Sequence, residues 1–274
     1  MVWTPRSQRL GQRNLDGPYD GVPTHLRGPL IDWLEQSLLN GGEWETGLMT
    51  TLTVRLRVPI TPGSNGWDVM QAIKKACQED ENTFLDFVEG VLYAKGLWSA
   101  EAPHLKELLA LAGSSLTVSS DQPVLVDVVN PQSQAIYDSA VSGNDEITVQ
   151  LQEAYGNAYG RSPDPSDAWD HAIKAVEAIL RPVVQPNNAK ATLGNVIGEL
   201  GGQNGGQWEV VFPGKDLDNN VVPFVETLKL MWPNTDRHGG GNGRPPTLDE
   251  ARAVVGLTAT IVQAHRQGWV VRRR

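Results

Sequence analysis

The sequence is short of the residues that carry the commonest chemistries. It has one cysteine, Cys77, in 274 residues. An intramolecular disulfide and a Cys-x-x-Cys zinc site are thereby excluded. Cys77 falls in the apolar series Val69, Ile73, Cys77, which reads as a core position rather than a catalytic thiol. No apolar run approaches the ~20 residues that a membrane-crossing helix needs, and the first residues lack the apolar centre of a secretory leader. These features predict a soluble, cytoplasmic protein with no membrane partner. Positive charge is also in the minority: 23 Lys and Arg stand against 32 Asp and Glu, a net charge of −9. That balance argues against a broad nucleic-acid-binding face but leaves room for a small basic pocket.

Glycine and proline, by contrast, are plentiful. Residues 1–24 are punctuated by Pro5, Gly11, Gly17, Pro18, Gly21 and Pro23, a spacing that predicts an extended arm, either packed through Trp3, Leu10 and Tyr19 or partly mobile. Helical spacing then places Leu26, Leu30, Trp33, Leu34 and Leu38 on one face, ended by Asn40-Gly41-Gly42. Thr50 to Val58 alternates polar and apolar residues and predicts a half-buried strand. Helices are expected over Trp67–Cys77, Thr83–Tyr93 and Pro103–Ala112. The acidic residues between the first two lack calcium-loop spacing and read as a solvated turn. Leu116–Val118 and Val124–Val129 flank Ser119-Ser120-Asp121-Gln122 as a hairpin.

Beyond Asn130-Pro131 the pattern becomes almost wholly helical. Glu146–Tyr159 and Pro165–Arg181 are predicted helices, the second with Asp164 as cap, Pro165 at its first position and Pro182 as its end. Shorter helices follow at Ala189–Leu200 and Val221–Trp232. Thr247–Gln267 closes the series with a Thr247/Glu250 capping box. The glycine-rich Gly201–Gly206 has no phosphate-loop spacing and reads as a flexible connection. Arg272 to Arg274 read as a frayed, solvated tail. The fold expected is mainly α, with an N-terminal α+β region over 1–130 and a C-terminal helical bundle over 131–274.

One stretch concentrates titratable groups: Lys229-Leu-Met-Trp-Pro-Asn-Thr-Asp-Arg-His-Gly-Gly-Gly-Asn-Gly-Arg244. Asp236, Arg237 and His238 are consecutive and glycines follow, so the backbone there is sterically permitted to approach a ligand closely. A solvated helix–helix connection is the plain alternative. Asp236 and His238 alone are too few donors to indicate a metal site, and no cofactor motif is present.

The runs Tyr159–Glu177, Ala191–Gly198 and Leu230–Gly239, with the alanine-rich last helix, resemble bacterial and phage proteins with an abortive-infection C-terminal domain. That domain belongs to the HEPN superfamily (higher eukaryotes and prokaryotes nucleotide-binding). The resemblance covers residues ~145–268, about one ordinary domain. It implies a helical bundle that often dimerises, acting in phage defence or as a toxin. It also implies metal-independent RNA cleavage, with His238 as general acid or base, Arg237 on the phosphate and Asp236 orienting the histidine. The superfamily motif separates its Arg and His by four to six residues, whereas Arg237 and His238 are adjacent. Trp232, Pro233 and Asn234 stand where the upstream Arg would be. Asn234 would then serve as the polar residue, Arg237 or Arg244 would supply the guanidinium, and Glu177 would join the pocket from its own helix. Trp232 either stacks on a base or anchors the core. The same features also fit a non-catalytic nucleotide- or protein-binding module, with the N-terminal region reading a trigger or partner.

Overall fold

The computed structural model describes residues 5–10, 18–232 and 244–274. Among them the chain is mainly helical, with three short antiparallel strand pairs. It divides into two compact units, Met1–Val128 and Val129–Arg274. No helix of the described residues is long and apolar enough to cross a membrane.

The first unit begins with a single helical turn, α1 (Arg6–Arg9), where an extended arm is expected. Trp3 lies outside the described residues. Leu10 is exposed, and Tyr19 is tied to the end of a later helix by its backbone, donating to Gly113 O at 2.8 Å. Helix α2 (Thr24–Ser37) buries Leu26, Leu30, Trp33 and Leu34, the predicted face. It ends in a two-residue hairpin joining β1 (Leu39–Asn40) to β2 (Glu43–Trp44). Gly41 and Gly42, at φ +60° and +90°, supply the left-handed pair that this tight turn requires.

Helix α3 (Thr46–Arg55) replaces the strand predicted over Thr50–Val58. Period-2 alternation would have buried Val54, yet Val54 is 71% exposed, while Met49, Leu52 and Thr53 face the core at helical spacing. The threonines that favour a strand are accommodated by back-bonding. Thr50, Thr51 and Thr53 donate their hydroxyls to the carbonyls four residues earlier, at 2.8–2.9 Å. Helices α4 (Gly66–Glu79) and α5 (Glu81–Lys95) follow. The acidic stretch between them is no free turn: Asp80 is the N-cap of α5, accepting from Thr83 N at 2.6 Å. Helix α6 (Glu101–Leu111) and the hairpin β3 (Leu116–Val118) with β4 (Leu125–Asp127) complete the unit. His104 is exposed. His25, also exposed, bonds through Nε2 to Ala112 O at 3.0 Å and sits edge-on to Tyr19, so it joins two helix ends.

The core gathers Trp33, Phe84, Phe87, Leu92 and Cys77. Burial pushes the Cys77 thiol up to about 12, so almost no nucleophilic thiolate exists near neutrality. A thiol reagent at neutral pH is expected to leave the native protein unlabelled and to titrate one thiol after denaturation. Rapid native labelling would contradict this packing.

The second unit contains α7 (Pro131–Ala140), α8 (Glu146–Tyr159), α9 (Pro165–Val184) and α10 (Leu193–Gly201). A 3₁₀ turn, Gly202–Gly205, occupies part of the supposed flexible connection. Then come β5 (Trp208–Val210), α11 (Val222–Met231), α12 (Leu248–Arg266) and β6 (Val271–Arg273). Helix α9 runs through Pro182 to Val184 instead of ending there. So close to the helix end, the missing N–H removes one bond, and the last turn is still closed by Gln185 N donating to Arg181 O at 2.9 Å.

The C-terminal basic residues are not a frayed tail. They form β6, antiparallel to β5, with Trp208 opposite Arg273 and Val210 opposite Val271. Arg272 pairs with Glu209, and Arg274 donates to Trp208 O at 3.1 Å and Asp218 O at 2.7 Å. Strand pairing across more than sixty residues leaves no local signature in the sequence.

A second long-range tie holds the start of α8. Arg266, at the end of α12, grips the Asp145 carboxylate with two bonds of 2.6 and 2.7 Å and adds Thr148 Oγ1 at 2.9 Å. Asp145 is also the N-cap of α8, accepting from Thr148 N at 3.0 Å. The Arg266 guanidinium, then the Thr148 donors, hold its carboxyl well below the usual carboxylate range. A carboxyl depressed in the folded state stabilises above its unfolded value, about pH 4, and loses that contribution as pH falls further. Wild type should therefore melt higher than Asp145→Asn at pH 7, with the gap closing below about pH 4. A gap that stays constant down to pH 2 would count against the ion pair.

Candidate functional site

The site is approached from α9, whose long apolar face supports the elements around it. Asp164 accepts from the amides of Ser166 and Asp167 at 3.1 and 3.0 Å, and Pro165 fills the first position. From this helix Trp169, buried, donates its indole Nε1 to Met231 O at 2.8 Å. Met231 is the last residue of α11, where carbonyls have no partner further along the helix. The end of α11 is thus fixed by a side chain sixty-two residues away.

Two turns further along α9, Glu177 reaches the start of α10. Its Oε1 accepts from Leu193 N at 2.6 Å, satisfying a first-turn amide and placing negative charge at the positive end of the helix. Thr192 and Asn195 add a reciprocal capping box. The next residue, Gly194, lies under the Trp232 indole: a β-carbon there would come within 2.7 Å of Trp232 Nε1. Glycine in this first turn therefore makes room for the tryptophan. Glu177 and Trp232, both drawn from the sequence as pocket residues, meet at the same turn of α10.

On the far side of residues 233–243, the chain is held at the start of α12. Arg244 makes a two-pronged bond to the Glu250 carboxylate, 2.7 and 2.5 Å. Glu250 is also the reciprocal member of the Thr247 capping box. The Arg244 guanidinium, then the Thr247 donors, hold Glu250 down to about 2. Lys229, the other cation flanking the segment, pairs with Glu226 at 2.7 Å.

No protein-family model, curated protein or solved structure matches this chain.

The sequence-predicted residues thus divide. Asn234, Asp236, Arg237 and His238 lie outside the described residues. Trp232 is half-buried and packed on Gly194, which agrees with an anchor rather than an open stacking platform. Glu177, expected in the pocket, is employed at the α10 N-terminus. Arg244, expected to offer a guanidinium to phosphate, has both terminal nitrogens on Glu250. Among the described residues no group of three or more His, Cys, Asp and Glu could hold a metal ion.

Sequence reasoning missed the roles of Trp169 and Gly194. A signal existed for each. A tryptophan in an apolar helical face must place its N–H on some acceptor. A glycine just inside a capped helix is unfavourable unless something needs the space. Neither signal names its partner. His265 precedes Arg266 in the Arg266–Asp145 tie, and burial lowers its affinity for a proton, with the neighbouring Arg266 acting in the same direction.

Proposed function

We propose that this chain is a phage-defence protein of the abortive-infection type, with an HEPN-like C-terminal bundle that cuts RNA without a metal ion. The observation that carries the reading is the fixation of both ends of residues 233–243. Trp169 holds the carbonyl that closes α11, Trp232 seats on Gly194, and Arg244 locks onto Glu250 at the start of α12. Catalytic groups are commonly carried by loops joined to a rigid scaffold, and the fixed ends of the segment that carries Asp236, Arg237 and His238 support this reading.

In this reading His238 removes the proton from a ribose 2′-hydroxyl and, in its protonated form, supplies a proton to the leaving 5′-oxygen. The 2′-oxygen bonds to phosphorus as the P–O5′ bond breaks, giving a 2′,3′-cyclic phosphate and a 5′-hydroxyl. Arg237 carries the developing charge on the phosphate oxygens. Asp236 orients the imidazole, and Asn234 contributes a hydrogen bond. No metal or other cofactor takes part. A homodimer through the bundle, and a protein trigger read by the N-terminal unit, belong to the same proposal.

A second reading, a nucleotide- or protein-binding module without catalysis, is favoured by one observation. Arg244 and Lys229, two of the cations that would line a phosphate site, are paired with Glu250 and Glu226. The two readings separate in one experiment. Purified protein is incubated with mixed transfer and messenger RNA in EDTA, beside His238→Ala and Arg237→Ala of unchanged melting temperature. Cleavage by wild type alone, leaving cyclic-phosphate ends, supports the nuclease. Retained RNA or nucleotide binding without cleavage, with or without magnesium, supports the module.

A further inference from the structure

One large cavity among the described residues is distant in sequence from the Asp-Arg-His segment and lies within the N-terminal unit. It is an open groove of about 570 Å³ between α3 and α5, closed at one side by Pro123 and Val124 of the β3–β4 turn. Leu48, Leu52 and Leu56 line the α3 wall at i, i+4 and i+8. Gly90 opens the α5 wall: a β-carbon there would lie 2.6 Å from Leu52 Cδ2, so no larger residue fits without displacing the floor. Tyr93, 71% exposed, stands at the rim with Ala94. A large apolar floor with an exposed aromatic rim is uncommon on a protein surface without a partner.

Length and charge narrow the occupant. The lining spans nine residues on each side, Leu48–Leu56 along α3 and its C-terminal end and Asp86–Ala94 along α5, or about 12 Å of groove. That is the reach of apolar side chains at i, i+4 and i+7 on a single docked helix, about 10 Å. The α5 wall carries Asp86 and Glu89, the α3 wall Arg55. The unit around them is acidic, with 16 Asp and Glu against 10 Lys and Arg in residues 1–128. An acidic surface draws in a partner with basic flanks and disfavours an acidic one.

We infer that the groove between α3 and α5 binds an amphipathic helix of a partner protein, with its apolar stripe on Leu48, Leu52, Leu56 and Tyr93 and its basic flank toward Asp86 and Glu89. This site is independent of the nuclease reading, and it gives the N-terminal unit a means of capturing a protein segment.

The test uses the full chain and two fluorescein-labelled 14-residue amphipathic peptides, one of leucine and lysine, one of leucine and glutamate in the same pattern. The Leu/Lys peptide is expected to bind at least about tenfold more tightly, with amide shifts in labelled protein confined to α3, α5 and residues 123–124. Ala94→Trp, at an exposed rim position, should weaken it by about tenfold without changing the melting temperature. Asp86→Lys should narrow the preference between the peptides. Equal binding of both peptides, or binding indifferent to Ala94→Trp, overturns the proposal. Self-association of the unliganded protein that Ala94→Trp abolishes would assign the groove to a second copy instead. Binding of a small apolar dye there, with neither peptide competing, would assign it to a small molecule.

Discussion

In the proposed nuclease reading, His238→Ala is expected to lower RNA cleavage by about 10²–10⁴-fold while leaving the melting temperature where it was. The magnitude follows from the role. A positioned imidazole that takes one proton and returns another contributes to both halves of the reaction, and water replaces it poorly. Arg237→Lys should also be impaired, because an ammonium keeps the charge but not the paired planar donors that match phosphate oxygens. Arg244→Lys should lower the rate less than Arg237→Lys, since Arg244 is spent on Glu250 and acts only by holding the start of α12. The contrast between the two arginines is the informative result. If Arg244→Lys abolishes cleavage and Arg237→Lys does not, the guanidinium has been assigned to the wrong side of the segment. If His238→Ala lowers stability and leaves cleavage intact, the segment is a clasp and the nuclease reading fails.

The second large effect is expected at Trp169. Trp169→Ala removes a buried indole and should destabilise the C-terminal unit by about 3–5 kcal/mol, a shift on the order of 10 °C for a unit of this size. The loss is more than volume. The Met231 carbonyl would lose the indole donor that now meets it at 2.8 Å. Trp169→Phe separates the two contributions. It keeps much of the apolar contact but removes the donor and one ring's worth of volume, so at least about 1–3 kcal/mol is expected. Because Met231 immediately precedes Trp232, Trp169→Phe should also reduce whatever activity residues 233–243 carry, RNA cleavage or ligand binding. Calorimetry on the full chain, with activity measured well below the transition, checks both parts. A Trp169→Phe protein as stable as wild type would show that the bond to Met231 is easily replaced by water.

Much of the helical content is legible in the sequence. The apolar face of α2, the Asp164–Pro165 start of α9 and the Thr247/Glu250 box of α12 are written in neighbouring residues, because each depends on contacts within about one turn. Cys77 was placed in the core by the same periodicity. Failures came where two local patterns coincide or where no local pattern exists. Thr50–Val58 satisfies both period 2 and period 3.6, and tertiary burial of Met49, Leu52 and Thr53 settled it as a helix against its threonine content. Pro182 looked like a terminator, yet the final turn of α9 tolerates one missing donor.

What the sequence alone determined is therefore the set of short-range commitments: where helices begin, which stripe each one buries, and which residues are chemically able to act. What only the tertiary structure decided is how those residues are spent. Arg244 goes to Glu250, Glu177 to the Leu193 amide, Trp169 to Met231, and the basic C-terminus to a strand against β5. The physical reason is common to all four. A side chain declares its hydrogen-bonding capacity in the sequence, but its partner is chosen by packing, and here the partners lie between six and more than sixty residues away.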